Sequence, residues 1–461
     1  MQLPWANNGV GIALGVEYRR EHLELQTDVA FQTLPSSDLA GQGAPTLPVS
    51  GDFDVKEAFA EIRIPIIEDS FIYNFSIEAG YRYSDYGIGA RSVSTDTYKI
   101  GVDISPIRDI RFRAAYNRAV RAPNIQELFA PQRVALNGNG DPCTNDDVTG
   151  VPDASLAACQ AMGVSAAQYG TLQGNPAGQY NGLIGGNPNL EPEIADTYTI
   201  GVVLRPSFIP RLAITVDWFN IKIDQPIQPV GQDVILATCA ATLDPTFCGL
   251  VQRDQFGSLW RTGTGFVRDL NLNIGSFKTR GIDIGVGYSM EIGSAGGLSF
   301  NLVGTWLDEL ITNNGVSVPY DCAGLYGPIC GIPSPEWRHK LRITYSHPSG
   351  IGLSAQWRHL GAVTVENASD QTTLQSNFSP FNERLPAQNY FDLTLTARIG
   401  DHYNFRLGVN NIFDRDPPIV GANGASTVIN ACAAVVCSGN TYPQVYDALG
   451  RYVFAGVTLD F

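Results

Sequence analysis

Apolar and polar residues alternate one by one in segment after segment of this 461-residue chain. A period of two places the two kinds of side chain on opposite faces of a β-strand. Fourteen segments share the pattern, and they cover residues 12–18, 60–64, 75–81, 98–104, 112–116, 198–204, 212–218, 282–288, 300–306, 341–345, 353–357, 391–395, 403–409 and 453–461. The sequence therefore predicts an all-β protein of about 14 strands.

Composition indicates what the apolar face of these strands meets. Apolar residues make up 44% of the chain, but they are dispersed and no run reaches the roughly 18 residues of a membrane-spanning helix. Strands with one apolar and one polar face are typical of a transmembrane antiparallel β-barrel, with lipid outside and water inside. A net charge of −15 argues against a nucleic-acid partner, which would need a basic surface.

The connections between the predicted strands alternate in length. Those after even-numbered strands are short, at residues 68–70, 105–109, 205–211, 291–297, 348–350 and 400–402. Those after odd-numbered strands are long, near residues 21–54, 120–193, 224–269, 308–335, 361–388 and 411–450, with one modest loop near 87–94. Tight periplasmic turns and long extracellular loops are the arrangement of an outer-membrane barrel.

The eight cysteines fall into four close pairs: Cys143 and Cys159, Cys239 and Cys248, Cys322 and Cys330, and Cys432 and Cys437. None has the CxxC spacing of a zinc site, and the even number favours disulfides in an oxidising compartment. All four pairs fall in long connections, two of them beside helix-like segments at 153–161 and 232–241. We expect disulfides there to brace loops that have little core of their own.

Three stretches are more specific than the strand pattern. They read Arg-Ala-Pro-Asn-Ile-Gln-Glu-Leu-Phe at 121–129, Asn-Pro-Asn-Leu-Glu-Pro-Glu at 187–193 and Val-Asn-Asn-Ile-Phe-Asp at 409–414. With the terminal aromatic Phe461, they make the chain resemble the C-terminal barrel region of TonB-dependent outer-membrane receptors, with paired-cysteine loops similar to those of Caulobacter- and Xanthomonas-like bacteria. Pro and Asn also suit strand-to-loop transitions, and we weigh a structural role for these elements above ligand contact.

The resemblance implies a 22-stranded barrel closed by an N-terminal plug domain with a TonB box. About 14 of those strands are represented here, and we expect the chain to be a C-terminal fragment without the plug. No signal peptide precedes the first strand, which agrees with a start that is not the native one. The family's partners would be TonB through the plug region, outer-membrane lipids, the barrel assembly machinery through the C-terminal strand, and a small-molecule or oligosaccharide ligand.

No catalytic constellation, cofactor motif or metal site stands out, so we expect no enzyme activity. The oxygen-rich stretch Asn137, Asn139 and Asp141, with Asn145, Asp146 and Asp147, lacks the order of a calcium loop, and a solvated braced loop is the favoured interpretation. Loops over a rigid scaffold carry recognition. We therefore expect any ligand contacts at the loop aromatics Tyr180, Trp260, Tyr320 and Tyr326.

The favoured function is a Gram-negative outer-membrane receptor that takes up a scarce nutrient with TonB-derived energy. The resemblance implies siderophore–iron, cobalamin or oligosaccharide as cargo. One alternative is a passive porin-like channel closed from the 14 strands alone, which their even number permits. A second alternative is an outer-membrane enzyme, which would need a Ser/His/acid group that the sequence does not display.

Overall fold

Fourteen strands form one antiparallel sheet in chain order in the computed structural model, which describes residues 2–32, 44–145, 150–400, 402–421 and 437–459. The strands are β1 (Gly11–Leu25), β2 (Val49–Glu68), β3 (Asn74–Ile88), β4 (Arg91–Ile107), β5 (Ile110–Arg121), β6 (Glu193–Leu204), β7 (Leu212–Asp224), β8 (Ser276–Glu291), β9 (Gly297–Asn313), β10 (Trp337–Ser346), β11 (Ile351–Leu360), β12 (Gln388–Ile399), β13 (Tyr403–Asn410) and β14 (Tyr452–Leu459). The predicted all-β fold and its strand order are confirmed. Phe461, predicted as the terminal aromatic of the barrel, lies outside the described residues.

The register keeps the two faces of the sheet separate across neighbouring strands. One row joins Ile200, Trp218, Ile282, Trp306 and Trp337 from β6 to β10. The residues next to them form a polar row on the other face. Side chains of the apolar row are solvent-accessible, with Ile200 60% exposed, as expected of a face that meets lipid. No helix among the described residues is long and apolar enough to cross a membrane.

The observed loops differ from the predicted ones in where they begin. We name them L1 (26–48), L2 (122–192), L3 (225–275), L4 (314–336), L5 (361–387) and L6 (411–451). Strands β1 and β2 continue well into the stretch predicted as the loop near 21–54. The modest loop predicted near 87–94 is a two-residue turn at Gly89 and Ala90. Polar strand ends explain the error, because they keep the backbone ladder while losing the apolar alternation.

The loops contain the remaining elements. The helices are α1 (Val29–Gln32), α2 (Ile125–Phe129), α3 (Leu156–Ala161), α4 (Gln232–Thr242) and α5 (Pro245–Cys248). Short 3-10 turns lie at Gly293–Ala295, Glu366–Ala368 and Pro380–Asn382. Short strands lie at Arg133–Gly138, Tyr180–Ile184, Ile227–Gln228, Val251–Gln252, Phe266–Arg268, Leu272–Asn273, Tyr320–Asp321, Leu325–Tyr326, Val363–Val365 and Arg384–Leu385.

Charged side chains on the polar face reach across an intervening strand where that strand carries glycine. Arg113 of β5 pairs with Asp217 of β7 at 2.6 Å, and the two groups meet over Gly201 of β6. A Cβ atom at Gly201 would lie 1.8 Å from an Asp217 carboxylate oxygen. Glycine in a strand interior permits such a close approach. An ion pair on the polar face therefore connects two strands that are separated by a third.

We expect Gly201→Ala in the whole receptor to lower the free energy of unfolding by about 1–3 kcal/mol, because the new methyl group displaces the ion pair. Gly287→Ala is the matched control, since a Cβ atom at Gly287 of β8 meets no atom within 4 Å. Urea unfolding of the purified receptors, followed by tryptophan fluorescence, measures both. Equal midpoints for the two variants would contradict the account.

Strands β1 and β14 are the two edges of the sheet, and they make no ladder with each other among the described residues. Unpaired backbone groups cost several kcal/mol each in lipid, so open edges are not stable there. We expect the 461-residue chain, refolded alone in detergent, not to give a stable monomeric barrel. Heat-modifiable migration of a folded monomer on a gel is the measurement, and its observation would refute the expectation.

Candidate functional site

The two ends of L2 are joined by an ion-pair clasp, made of Arg121, Asn124, Glu127 and Glu193. The Arg121 guanidinium contacts Glu127 at 3.0 Å and Glu193 at 2.6 Å. Asn124 caps α2 by accepting a hydrogen bond from the Glu127 backbone N–H at 2.8 Å, and the Glu127 carboxylate accepts one from the Asn124 N–H at 2.7 Å. This reciprocal capping box fixes the start of α2.

Backbone and apolar contacts complete the clasp. The Asn187 N–H donates to the Glu127 carbonyl at 2.8 Å, and Leu128 and Leu190 are buried together against Ile88. The stretches 121–129 and 187–193, far apart in sequence, therefore pack on each other, and their polar groups bind other groups of the protein. This arrangement agrees with the structural role favoured from their composition.

L3 is tied to the same place. Glu193 accepts a hydrogen bond from the Ile227 N–H at 2.6 Å. Asn273 exchanges two hydrogen bonds with the Glu191 backbone, each at 2.7 Å. The clasp thus holds the bases of L2 and L3 side by side above the sheet.

L2 and L3 fold together into one unit, which we call the first cap. The strand Phe266–Arg268 of L3 pairs in parallel with Tyr180–Ile184 of L2. The cap encloses a shared core of buried residues: Cys143, Ala154, Ala158, Cys159, Met162, Val164, Leu172, Tyr180, Val230, Ile235, Leu236, Cys239, Cys248, Leu259 and Val267. The expectation that these loops have little core of their own was wrong, because side chains of L2 and L3 together form a core that neither loop could form alone.

Three of the four predicted cysteine pairs lie at disulfide distance. The S–S separations are 2.12 Å for Cys143–Cys159 and 1.98 Å for Cys239–Cys248, both inside the first cap, and 2.02 Å for Cys322–Cys330 in L4. Cys432 lies outside the described residues, so its pairing with Cys437 stays a prediction.

L4, L5 and L6 form a second cap with its own core. Short strands at Leu325–Tyr326, Val363–Val365 and Arg384–Leu385 pair into a small sheet, and Tyr442 of L6 packs on it. The carboxylate of Glu366 in L5 is buried and accepts hydrogen bonds from the backbone of L4, at 2.6 Å from the Cys330 N–H. Burial raises the pKa of Glu366, although these N–H donors act in the opposite direction.

Two of the predicted ligand-contact residues are buried in the caps. Tyr180 is 4% exposed in the first cap, where its hydroxyl accepts from the Asn175 N–H at 3.0 Å. Tyr326 is fully buried in the second cap and its hydroxyl donates to the Asn382 carbonyl. Both side chains pack as core residues here. A contact between either side chain and a ligand stays a prediction, and it would require the caps to open.

The other two predicted contact residues are partly accessible. The Trp260 indole N–H donates to the Gln173 carbonyl at 3.3 Å on the surface of the first cap. Tyr320 lies in a short strand that pairs with β9, and burial raises the pKa of its hydroxyl. Trp260 packs against the same core that contains Tyr180, and the ligand roles of Trp260 and Tyr320 also stay predictions.

The oxygen-rich stretch of L2 uses its side chains within the first cap. The Asn137 amide donates to Asp269 at 2.8 Å, and the Asn139 amide donates to Asp233 at 2.9 Å. Residues 146–147 lie outside the described part. Elsewhere in the described ranges, no cluster of His, Cys, Asp and Glu is arranged to hold a metal ion.

Sequence reasoning missed a buried ion pair at the centre of the first cap. Arg253 of L3 and Asp141 of L2 form two hydrogen bonds, at 2.6 and 2.9 Å, and their side chains are only 2% and 0% exposed. Arg253 also donates to the Met162 carbonyl at 3.0 Å, and Asp141 accepts from the Cys143 N–H at 3.0 Å. The partners are 112 positions apart. No local pattern could have paired them.

We expect Arg253→Met to destabilise the first cap by about 3–5 kcal/mol, because it leaves the Asp141 carboxylate buried without a partner. The exposed Arg261 in the same loop forms no ion pair among the described residues, so Arg261→Met is the matched control. Limited proteolysis of outer membranes should cleave L2 and L3 faster in the first variant only. Equal cleavage of both would show that the pair does not hold the cap.

Comparisons with known proteins agree with this architecture. The family described as "TonB dependent receptor-like, beta-barrel" matches residues 2–412. No curated protein sequence matches the chain. The match covers the strand ladder as far as the end of β13, together with both elements of the clasp.

Several solved structures share the fold. They include the ferric enterobactin receptor PfeA from Pseudomonas aeruginosa (TM-score 0.60, 15% identity, 99% of this chain and 52% of that one). They also include the siderophore receptor PirA from Acinetobacter baumannii (0.57, 12%, 99% and 53%) and the iron transporter FrpB from Neisseria meningitidis (0.53, 13%, 97% and 52%). The chain thus spans about half the length of each.

Identities this low show the fold alone, whereas the family match covers most of the chain. The predicted resemblance and the predicted location are confirmed. The chain belongs to the β-barrel family of TonB-dependent receptors, which are outer-membrane proteins of Gram-negative bacteria.

Proposed function

We propose that this chain is part of a receptor that takes up a scarce, large nutrient at the cell surface and passes it to the periplasm. The main support for this proposal is the family match over residues 2–412. Proteins of the same fold are named as a ferric enterobactin receptor, a siderophore receptor and an iron transporter. Siderophore-bound iron is therefore the leading cargo, with cobalamin and oligosaccharide as the alternatives.

The loop architecture supports a binding role for one end of the barrel. Five of the six long loops fold into two caps with separate cores, and both caps are braced by disulfides. Folded loops over a rigid sheet are a common way to build a recognition surface. We assign this end to the cell exterior, where a nutrient would arrive.

The proposal includes partners beyond the cargo. TonB would supply energy through the plug region of the whole receptor, and the barrel assembly machinery would recognise the C-terminal strand. The apolar face would contact outer-membrane lipids. The chain would carry out no chemistry of its own. The rival passive channel would need β14 to pair with β1, and no such pairing joins the described parts of these strands.

Deletion of the chromosomal gene tests the proposal. We expect the deletion strain to lose uptake of one labelled cargo from a panel of ferric catecholate, ferric hydroxamate, cobalamin and oligosaccharide. A strain without TonB should lose the same cargo, and the gene supplied in trans should restore it only where TonB is present. Uptake that needs this gene but not TonB would favour the passive channel. Unchanged uptake of every cargo would refute the proposal.

A further inference from the structure

Two histidines lie side by side on the face of the sheet that meets lipid. His339 of β10 is opposite His359 of β11 in the strand register, and their rings stack with centroids 5.0 Å apart. Trp337 and Trp357 flank them on the same face, and Asn389 of β12 is the register neighbour of His359. We call these five residues the imidazole cluster. It lies where all three strands join the long loops L4 and L5.

The indole N–H groups fix which nitrogen of each histidine carries a proton. Trp337 donates to His339 Nδ1 at 2.9 Å. Because an indole nitrogen only donates, this Nδ1 accepts, and the proton of the neutral His339 ring is on Nε2. Trp357 donates to the Asn389 side-chain oxygen at 2.8 Å, which identifies that atom as the carbonyl oxygen. His359 Nδ1 lies 2.8 Å from the same oxygen and therefore donates to it, which leaves a lone pair on His359 Nε2.

Ring contacts hold the cluster in place. The His339 ring meets Trp357 edge to face, with centroids 4.4 Å apart and planes at 89°. Trp357 in turn stacks on Phe391 of β12, with centroids 6.1 Å apart. Gly304 of β9 lies opposite His339, and a Cβ atom there would come within 2.6 Å of the Trp337 indole. The glycine therefore gives the indole room to reach His339.

The two Nε2 atoms are the part of the cluster that its own contacts leave unused. Neither forms a hydrogen bond within the described part of the chain, and neither is buried, although both rings are half-buried. The Nε2 of His339 presents an N–H and that of His359 a lone pair, side by side on the apolar face. Polar groups without partners are costly on a face that meets lipid. The two nitrogens therefore fit a partner that accepts one hydrogen bond and donates another.

A metal ion does not match these two nitrogens. It would need a lone pair on both Nε2 atoms, but the Nε2 of His339 carries a proton. Moving this proton to Nδ1 would set it against the Trp337 N–H, so that two donors would face each other.

A phosphate monoester does match them. Its second pKa is about 6, so near neutral pH it combines ionised oxygens with an O–H group in part of the population. An ionised oxygen accepts from His339 Nε2, while the O–H donates to His359 Nε2 or transfers its proton to that nitrogen. A carboxylate or a phosphate diester has no such proton to share at neutral pH.

We propose that the imidazole cluster binds the phosphate monoester headgroup of a membrane lipid, in the leaflet that the loop end of the barrel meets. The sheet itself separates the cluster from the barrel interior, so a lipid reaches it directly and a nutrient in the lumen does not. Trp337 and Trp357 belong to the residue type that is enriched at the level of lipid headgroups. The inference goes beyond the proposed uptake function, since it concerns the outside of the barrel.

Binding by this cluster depends on one proton shared between His359 and the phosphate. The groups that face His359 from neighbouring strands are His339 of β10 and Asn389 of β12, and Trp357 lies beside it on its own strand. The amide and the indole do not titrate, and His339 supplies its N–H in the neutral form. Loss of the shared proton sets the His359 lone pair against a phosphate dianion. We therefore expect binding to weaken as the pH rises from about 6 to about 8.

The test uses the whole receptor, purified from outer membranes and placed in phosphatidylcholine nanodiscs. The probes are two anionic lipids with the same acyl chains: phosphatidate, a phosphate monoester, and phosphatidylglycerol, a diester. The variant is His339→Phe with His359→Phe, which keeps two rings and removes both Nε2 atoms. The matched control is His22→Phe with His347→Phe, because these histidines lie on β1 and in the turn after β10, outside the cluster. Native mass spectrometry counts the probe lipids that each receptor retains.

We expect the wild type at about pH 6 to retain phosphatidate about tenfold more tightly than the cluster variant does, because the variant lacks the charge-assisted hydrogen bonds. The control variant should match the wild type. Phosphatidylglycerol should bind equally to all three receptors, and at about pH 8 the preference for phosphatidate should disappear. Both leaflets of a nanodisc contain the probe, so the result does not depend on which side of the membrane the loops face.

Three results would overturn the inference. They are equal retention of the two lipids by the wild type, unchanged retention of phosphatidate by the cluster variant, and release of the lipid by an equal concentration of inorganic phosphate, which would identify a soluble ligand. A cluster variant that changes its oligomeric state and not its lipid retention would also overturn it, in favour of a second copy of the receptor. Heat-modifiable migration verifies that every variant is folded. Nutrient uptake by the cluster variant should equal that of the wild type, so failure of either proposal leaves the other standing.

Discussion

The pairing of backbone N–H and C=O groups in lipid is the constraint on which the rest of this structure depends. A chain that crosses the membrane as strands must join each strand to its neighbours, since no water is present to satisfy the backbone. The ladder from β1 to β14 meets that condition everywhere except at its two edges. The same ladder forces the period-two pattern, because each strand has lipid on one side and water on the other.

A rigid ladder allows the loops at one end to fold into units with cores of their own. L2 and L3 build a core that resembles that of a small soluble domain, and they surround the Arg253–Asp141 pair with it. The clasp fixes where that domain begins and ends, because Arg121 on the outgoing strand and Glu193 on the returning strand share one ion pair. The first cap is thereby anchored to the wall by protein contacts and not by lipid.

The sequence predicts the strands well because lipid on one face and water on the other dictate their period, and it locates the two ends of L2 because the motifs at 121–129 and 187–193 are local. It does not reveal which side chains are buried where the determinants are distant or aperiodic. Tyr180 and Tyr326 resemble free loop aromatics in sequence, but partners from other loops enclose them. The polar ends of β1 and β2 carry no apolar alternation, although their backbones continue the ladder. The first cap's core has no period at all.

Alternation determines which residues face the interior but leaves the sign of their charge open. Whether two charges pair therefore depends on the register between strands. On β5–β7, the Arg113–Asp217 pair is balanced and is accommodated by Gly201, which is a structural use of charge. On β11, Arg358 contacts both Asp392 of β12 and Asp447 of L6, at 2.8 and 2.9 Å, so charge there joins the sheet to a loop. Ion pairs on the inner face therefore join strands to each other and to the loops, with glycine where a pair crosses an intervening strand.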